Sequence, residues 1–229
     1  MVHALYPIGG AGGPQRLMQQ ASKKVKITVE MSPRICGKCG KNSGHIICHN
    51  RVDQSNPIEC GGRTSLRTQK KQQRRRIGER THVPIESILE VKRRSLGLER
   101  LPERIKAMKE LISRLQTPEP IEKGILRAKH NLSVFRDGTA RYDMIDVPIT
   151  HFRPSEIGTP WKSLYNLGYN YDMYGKELKS NEQILELFPQ DFIPSINGKD
   201  HLISTCKFID ELLIRFYKME PFYNVKSEL

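Results

Sequence analysis

Four cysteines within a span of twenty-five residues carry the first chemistry this sequence offers: Cys36, Cys39, Cys48 and Cys60. Cys36-Gly37-Lys38-Cys39 sets two thiolates two residues apart, the spacing at which both reach one metal ion. Cys48 and Cys60 can then complete a closed, tetrahedral, structural Zn²⁺ site. Eleven residues separate Cys48 from Cys60, where a regular ribbon would repeat the short spacing, and His45 or His49 could replace one thiolate. The competing reading of Cys36 and Cys39 is a redox pair. Such pairs usually open a helix, and Gly37, Gly40 and Gly44 argue against one here. Metal binding adds folding free energy on the order of 10 kcal/mol, so a loop-rich, charged segment can hold its shape while burying little apolar surface. The remaining cysteine, Cys206, reads as a small buried hydrophobe on a helix.

A dense basic tract follows the cysteines. Arg63, Arg67, Lys70, Lys71, Arg74, Arg75, Arg76 and Arg80 are opposed only by Glu79, more than half of the chain's net charge of +13. On a helix, Arg67, Lys70, Lys71 and Arg74 share one face. That face could follow a phosphate backbone, each contact steepening the salt dependence by ~0.9 log units. The bland alternative is a solvated linker; a neighbouring zinc module favours nucleic-acid contact. Hydrophobic residues make up only 37% of the 229, so much of the chain is expected to be surface, linker or interface. No signal peptide and no apolar run of ~18 residues is evident, and a soluble, reducing, cytoplasmic location without membrane contact is expected.

The elements that must position these groups follow from pattern. The fold class expected is α+β, in six segments. Residues 1–34 hold a glycine-rich loop (Gly9, Gly10, Gly12, Gly13) and a strand near Lys26–Glu30; the loop lacks the Gly-Lys-Ser/Thr of a P-loop. Residues 35–63 are the zinc module and 64–82 the basic linker. Residues 83–118 read as a helical hairpin. Its first helix starts at Pro84 with Ile85, Ile88 and Leu89 on one face; its second starts at Pro102 with Ile105, Met108, Leu111, Ile112 and Leu115. Residues 119–200 read as a β-rich segment. It holds a hairpin around Asp137-Gly138, strands at Val147–Thr150 and Ile184–Leu187, and a helix between Thr159-Pro160 and Gly168. A final helix covers 201–220, with Leu202, Cys206, Ile209, Leu213 and Phe216 as its apolar side.

Several runs in one order carry a resemblance: Glu122-Lys-Gly-Ile-Leu-Arg-Ala-Lys129, Val134-Phe-Arg-Asp-Gly-Thr139, Pro148-Ile-Thr-His-Phe-Arg-Pro154 and Glu156-Ile-Gly158. His3–Gly9 with Ala11–Gly13 precedes them; Leu167–Tyr169, Tyr174–Lys176, Lys207–Asp210 and Pro221–Asn224 follow. Together they resemble the large subunit of the archaeal D-family DNA polymerase. The resemblance implies part of a double-psi β-barrel core in a replicative, DNA-directed DNA polymerase that binds primer-template DNA. It also implies a heterodimer with a small subunit carrying the 3′–5′ proofreading exonuclease, a sliding clamp, and Mg²⁺ for nucleotidyl transfer by the complete enzyme at the archaeal nucleoid. The family's aspartate-rich catalytic motif lies beyond the run matched by Pro221–Asn224, and no Asp-x-Asp occurs in this chain. Asp143 and Asp146 flank a strand end, and Asp210-Glu211 is expected to face solvent. The isolated chain is therefore expected to be inactive and to act with the remainder of the large subunit. The alternative is a free-standing zinc-dependent nucleic-acid-binding module of transcription or RNA processing; a third reading is a degenerate scaffold that docks the small subunit.

Phosphate-contact candidates complete the set. Arg16, Lys23 and Lys24 follow the glycine-rich loop, where the resemblance places basic barrel residues near primer-template. Arg127, Lys129, His151 and Arg153 fall on expected strand or loop positions. Arg153 can fork two donors onto a phosphate, or pair with Glu156 and fix its loop. His151 reads as a satisfied core histidine, and Trp161 and Tyr165 as core.

Overall fold

The computed structural model describes residues 5–24, 27–48, 60–66, 79–109, 117–135, 150–189, 191 and 193–225. Helix and strand are mixed, in two compact units: residues 1–141 with 202–229, and residues 142–201.

In the larger unit, β1 (Ile27–Met31) alternates as its sequence demands, with Ile27, Val29 and Met31 buried. It pairs antiparallel with β5 (Glu79–Val83), Ile27 opposite Val83 and Met31 opposite Glu79. The expected linker 64–82 is thus ordered at both ends: β4 (Thr64–Leu66) joins the cysteine module and β5 joins β1. Helix α1 (Met18–Ser22) is short. Helix α2 (Ile85–Ser95) begins after Pro84 and buries Ile85, Leu89 and Lys92. Glu86 in its first turn and Lys92, Arg93 and Arg94 in its last complement the helix dipole. Gly97, at φ +64, ends it, with Leu98 N donating to Arg93 O.

The second helix of the expected hairpin does not form over 101–109. That segment runs extended against the N-terminal strap: Ile8 N donates to Met108 O and Met108 N to Tyr6 O, while Met18 N donates to Ile105 O. Ile105 and Met108 are fully buried there. Their spacing of three suits a helix face, but their backbone partners, Met18, Ile8 and Tyr6, are distant in sequence and outside the reach of local pattern. Leu111, Ile112 and Leu115 lie outside the described residues.

Helix α3 (Ile121–Lys129) occupies the start of the segment expected to be β-rich. It buries Ile121, Ile125 and Leu126, and Asn131 at φ +57 closes it. The longest helix, α5 (Ile196–Leu212), continues into a π-turn over Leu213–Tyr217. It packs on the main core through Phe208 and Leu212. The expected stripe is displaced: Leu202 is exposed and Cys206, Ile209, Leu213 and Phe216 are half-buried. Burial pushes the Cys206 thiol up. Asp210 and Glu211, expected at the surface, point inward. Asp210 is buried and accepts the backbone N–H groups of Phe222, Tyr223 and Asn224 at 2.8–2.9 Å. Glu211 binds Lys129 at 2.5 Å, His130 at 2.6 Å and Arg215 at 2.5 Å. Both carboxylates are consumed by the fold and are not set out for Mg²⁺. A cavity of about 480 Å³ opens between the cysteine module, β1 and β5, α2 and α3, with Lys92 and Glu122 in its wall.

The smaller unit is built on two short strands, β6 (His151–Phe152) and β7 (Leu185–Glu186), paired antiparallel with Phe152 opposite Leu185. Helix α4 (Trp161–Asn166) begins after Pro160 and closes at Gly168, φ +109. Phe152, Leu164, Tyr169, Leu178 and Leu185 form its core, with Trp161 against them. Tyr165 is exposed and meets the Trp161 ring edge-on. His151 is exposed as well, since β6 turns Phe152 inward and its neighbour outward. Among the described residues of 119–200, β6 and β7 are the only strands, so the β-rich expectation is not met there. The expected hairpin around Asp137-Gly138, the strand at Val147–Thr150 apart from Thr150 itself, and Asp143 and Asp146 lie outside the described residues.

Candidate metal centre

Strand β2 (Arg34–Cys36) lies between β3 (Asn42–Ser43) and β4, both antiparallel to it. The sheet carries Cys36 at its end, and the next three residues turn back: Gly40 N donates to Cys36 O at 3.0 Å and Cys36 N to Lys41 O at 3.1 Å. Gly40 takes φ +67, which the reversal after Cys39 requires. The second half of the module is brought in by backbone pairing of Cys48 with the segment after Cys60: Cys48 N donates to Gly62 O and Gly61 N to Cys48 O. This backbone pairing replaces the missing short spacing.

All four sulfurs lie within 4.8 Å of one another. Cys36 and Cys60 Sγ stand 3.7 Å apart, as do Cys39 and Cys48 Sγ. A tetrahedron with Zn–S bonds of ~2.3 Å puts its sulfurs about 3.8 Å apart, so the donor set fits zinc in distance as well as in type. Cys36, Cys48 and Cys60 are buried and Cys39 half-buried, and no disulfide joins them. His45 is not a member: its ring stacks on Tyr6 with centroids 5.6 Å apart. His49 lies outside the described residues.

Local electrostatics favours the thiolate at Cys36 and opposes it at Cys60. The Cys39 backbone N–H, aimed at Cys36 Sγ, outweighs burial and brings that thiol down to about 6, with the Lys38 N–H adding to it. For Cys60 the Gly62 N–H favours the thiolate, but burial and the neighbouring Cys36 and Cys39 sulfurs hold the group above its ordinary value. A divalent ion among the sulfurs reverses that repulsion.

Two supports escaped the sequence reading. Arg34 donates from Nε to Thr64 Oγ1 and from Nη2 to Thr64 O, and the Thr64 hydroxyl reaches back to His45 O. This ties the two ends of the module together. Gly62 is the other: a Cβ there would stand 2.7 Å from Cys36 Sγ and 2.7 Å from Lys38 Cβ. The Gly61-Gly62 pair directly after Cys60 was the available signal. Gly62→Ala should lower zinc affinity about tenfold or more, read by competition with a chromophoric chelator; unchanged retention would show the sulfurs can move aside freely.

The basic candidates divide. Lys23 and Lys24 are exposed. Arg16 is not free for phosphate: it has φ +54 and donates from Nη1 to Ala107 O at 2.8 Å. Arg127 pairs with Glu119, both nearly buried, and lies over the Phe208 ring. Lys129 is held by Glu211. Each was expected on a strand or loop and instead sits on α3, whose last turn faces the acids of neighbouring elements. Arg153 is 47% exposed and approaches Glu182 at 3.8 Å, while Glu156 accepts its backbone N–H. Arg67, Lys70, Lys71, Arg74, Arg75 and Arg76 lie outside the described residues.

Two family models match this chain in order. The DNA polymerase II large subunit DP2 central domain matches residues 1–79, and the catalytic domain of the same subunit matches residues 98–229. The DNA polymerase II large subunit of Archaeoglobus fulgidus is 40% identical over 98% of this chain, and that of Methanothermobacter thermautotrophicus is 40% identical, also over 98%. That of Methanosphaera stadtmanae is 37% identical over 99%. The chain spans about a fifth of the length of these relatives, 19–21%. With its catalytic-domain match covering more than half the sequence, the chain belongs to the DNA polymerase II large subunit family.

Proposed function

We propose that this chain forms part of the DNA-holding body of a replicative DNA-directed DNA polymerase. Its structural zinc anchors a basic surface against primer-template DNA. The observation that carries this reading is the ordered pair of family matches, the first of which spans a cysteine cluster with zinc-like spacing. Charge supports it. Residues 142–201 hold nine acids against five basic residues, so the excess positive charge of the chain resides entirely in the larger unit. Among the described candidates, Lys23, Lys24 and Arg153 retain exposed charge for phosphate; the Arg67–Arg76 tract is assigned to DNA from its charge alone.

Catalysis is assigned to the complete enzyme. Clustered carboxylates would hold Mg²⁺, which would supply Lewis-acid activation for nucleotidyl transfer, and this chain has no Asp-x-Asp to hold it. The double-psi barrel, the small subunit with its 3′–5′ exonuclease, the sliding clamp and the archaeal nucleoid belong to the same proposal. No described helix is long and apolar enough to cross a membrane. The free-standing module of transcription or RNA processing gains no specific observation.

The test is salt-titrated binding to primer-template DNA, plain duplex and RNA, with primer extension in Mg²⁺. Tightest binding to primer-template is expected, with a slope of several log units per decade of salt and no nucleotide incorporated. Equal affinity for all three would reduce the chain to a generic polyanion binder. Incorporation would show that carboxylates within it suffice.

A further inference from the structure

We infer that Arg104 and Lys106, backed by the charge of Arg16, form a phosphate-binding strip on the larger unit, filled by the backbone of bound DNA. That the phosphates are those of DNA rests on the family reading above. Two segments distant in sequence make the strip. The glycine-rich loop runs into Gln15 and Arg16, and the extended segment 105–108 lies against it. Ala107 N donates to Arg16 O at 2.9 Å and Arg16 Nη1 to Ala107 O at 2.8 Å. Lys106 Nζ donates to Gln15 Oε1 at 2.9 Å and to Gln15 O at 3.2 Å. Ile105 and Ala107 are turned fully inward. Arg104 and Lys106, which alternate with them, lie on the outer side, Arg104 exposed and Lys106 half-buried.

The chemistry around these cations sets them apart. The oxygens that Arg16 and Lys106 hold are neutral carbonyls: Ala107 O and Val134 O for Arg16, Gln15 O and Oε1 for Lys106. Elsewhere the same unit sets carboxylates against its inward-reaching cations: Glu119 against Arg127, Glu122 against Lys92, and Glu211 against Lys129, His130 and Arg215. Glu103, next to Arg104 in the chain, is exposed and forms no ion pair with these three among the described residues. Burial, and then the guanidinium charges of Arg16 and Arg104, hold the Lys106 amine below its ordinary range. A phosphate among the three would offset both effects. Arg16 also holds φ +54, a conformation strained for any residue with a Cβ, and strain of this kind concentrates at functional sites.

The sign of the charge selects an anion, and the side chains select phosphate. The exposed Arg104 guanidinium can fork two donors onto phosphate oxygens, while the Lys106 ammonium acts beside it as a point charge. Arg16, its donors already engaged, contributes only its field. Gln15 and Arg16 fall in the region matched by the central-domain model and Arg104 and Lys106 in that matched by the catalytic-domain model of a DNA polymerase subunit. A polynucleotide backbone is the phosphate source that such a subunit meets along its length; a nucleoside triphosphate is the other, and the experiment separates the two.

The experiment measures how steeply affinity for primer-template DNA falls with salt, with tripolyphosphate as a second ligand that carries no polynucleotide. Each lost phosphate contact removes ~0.9 from the slope, so Arg104→Gln should lower it by about 1 and Arg104→Gln/Lys106→Gln by about 2. Zinc content and melting temperature should not change. Arg104→Lys keeps the charge and should keep the slope; a drop equal to that of Arg104→Gln would make the effect one of shape and overturn the strip. The native slope in both glutamine variants overturns it too, and leaves the polymerase reading standing. If the native chain binds no DNA while the glutamine variants lose affinity for tripolyphosphate, the phosphate strip stands and the polymerase reading falls. If the native chain binds neither ligand, both fail.

Discussion

Chelation should strip about one zinc ion from each chain and unfold the cysteine module while the smaller unit stays folded. The four sulfurs are the hub of a segment whose other buried contacts are few: among the described residues of 34–66, only Thr64 is buried besides Cys36, Cys48 and Cys60. Thiolate–zinc bonding contributes on the order of 10 kcal/mol, larger than anything that β2, β3 and β4, of two or three residues each, can supply. The core of residues 142–201 contains no cysteine. Limited proteolysis with metal analysis reads both halves at once. Chelator, or Cys48→Ser, should open sites within 34–66 and leave 150–187 protected. A chain that purifies without zinc and resists protease equally in both states would end the metal assignment.

Lys92→Met should be strongly destabilising. Lys92 Nζ meets Glu122 Oε1 at 3.1 Å, and each side chain is only 9% exposed. The other carboxylate oxygen, Oε2, has no hydrogen-bond partner among the described residues, so Lys92 is the charge that makes Glu122 tolerable. Removing one member of a buried pair costs about 3–5 kcal/mol, whereas replacing both by apolar groups is often neutral or better. For a chain of this size that is a fall of about 10 °C in the larger unit's transition. Lys92→Met/Glu122→Leu should regain most of it. If the single variant melts as the wild type does, water entering from the adjoining cavity already solvates the carboxylate.

The metal ligands were legible because their chemistry is tied to residue type: only cysteine at that density offers four soft donors, and the paired spacing at 36 and 39 marks the first half. The second half was legible by residue type alone: Cys48 and Cys60 were expected to complete the site and do, but the backbone pairing that brings them in follows from no spacing rule. Helix α2 announced itself with Pro84, an apolar face and Gly97. The stretch beginning at Pro102 offered the same kind of pattern, with Ile105 and Met108 three apart, yet became extended because the N-terminal strap offered it backbone partners. The inward turn of Asp210 and Glu211 was equally invisible. Their tasks are to cap Phe222–Asn224 and to gather Lys129, His130 and Arg215, contacts made only once the chain has folded. Arg127 and Arg16 went astray for that reason too: a guanidinium looks the same in sequence whether it waits for a phosphate or holds an internal carbonyl.

The pairing of residues 6–18 with 105–108 ties the region matched by the central-domain model to that matched by the catalytic-domain model, and the antiparallel pairing of β1 with β5 adds the stretch between them, through one shared hydrophobic core. A cut within α2 would therefore not release two stable proteins. Each half would expose the unpaired edges the other had covered, and the halves should either reassociate on mixing or aggregate apart. Joining strands so distant in sequence also makes this core late to close, so the region is expected to fold as one cooperative unit only after both of its ends have been synthesised.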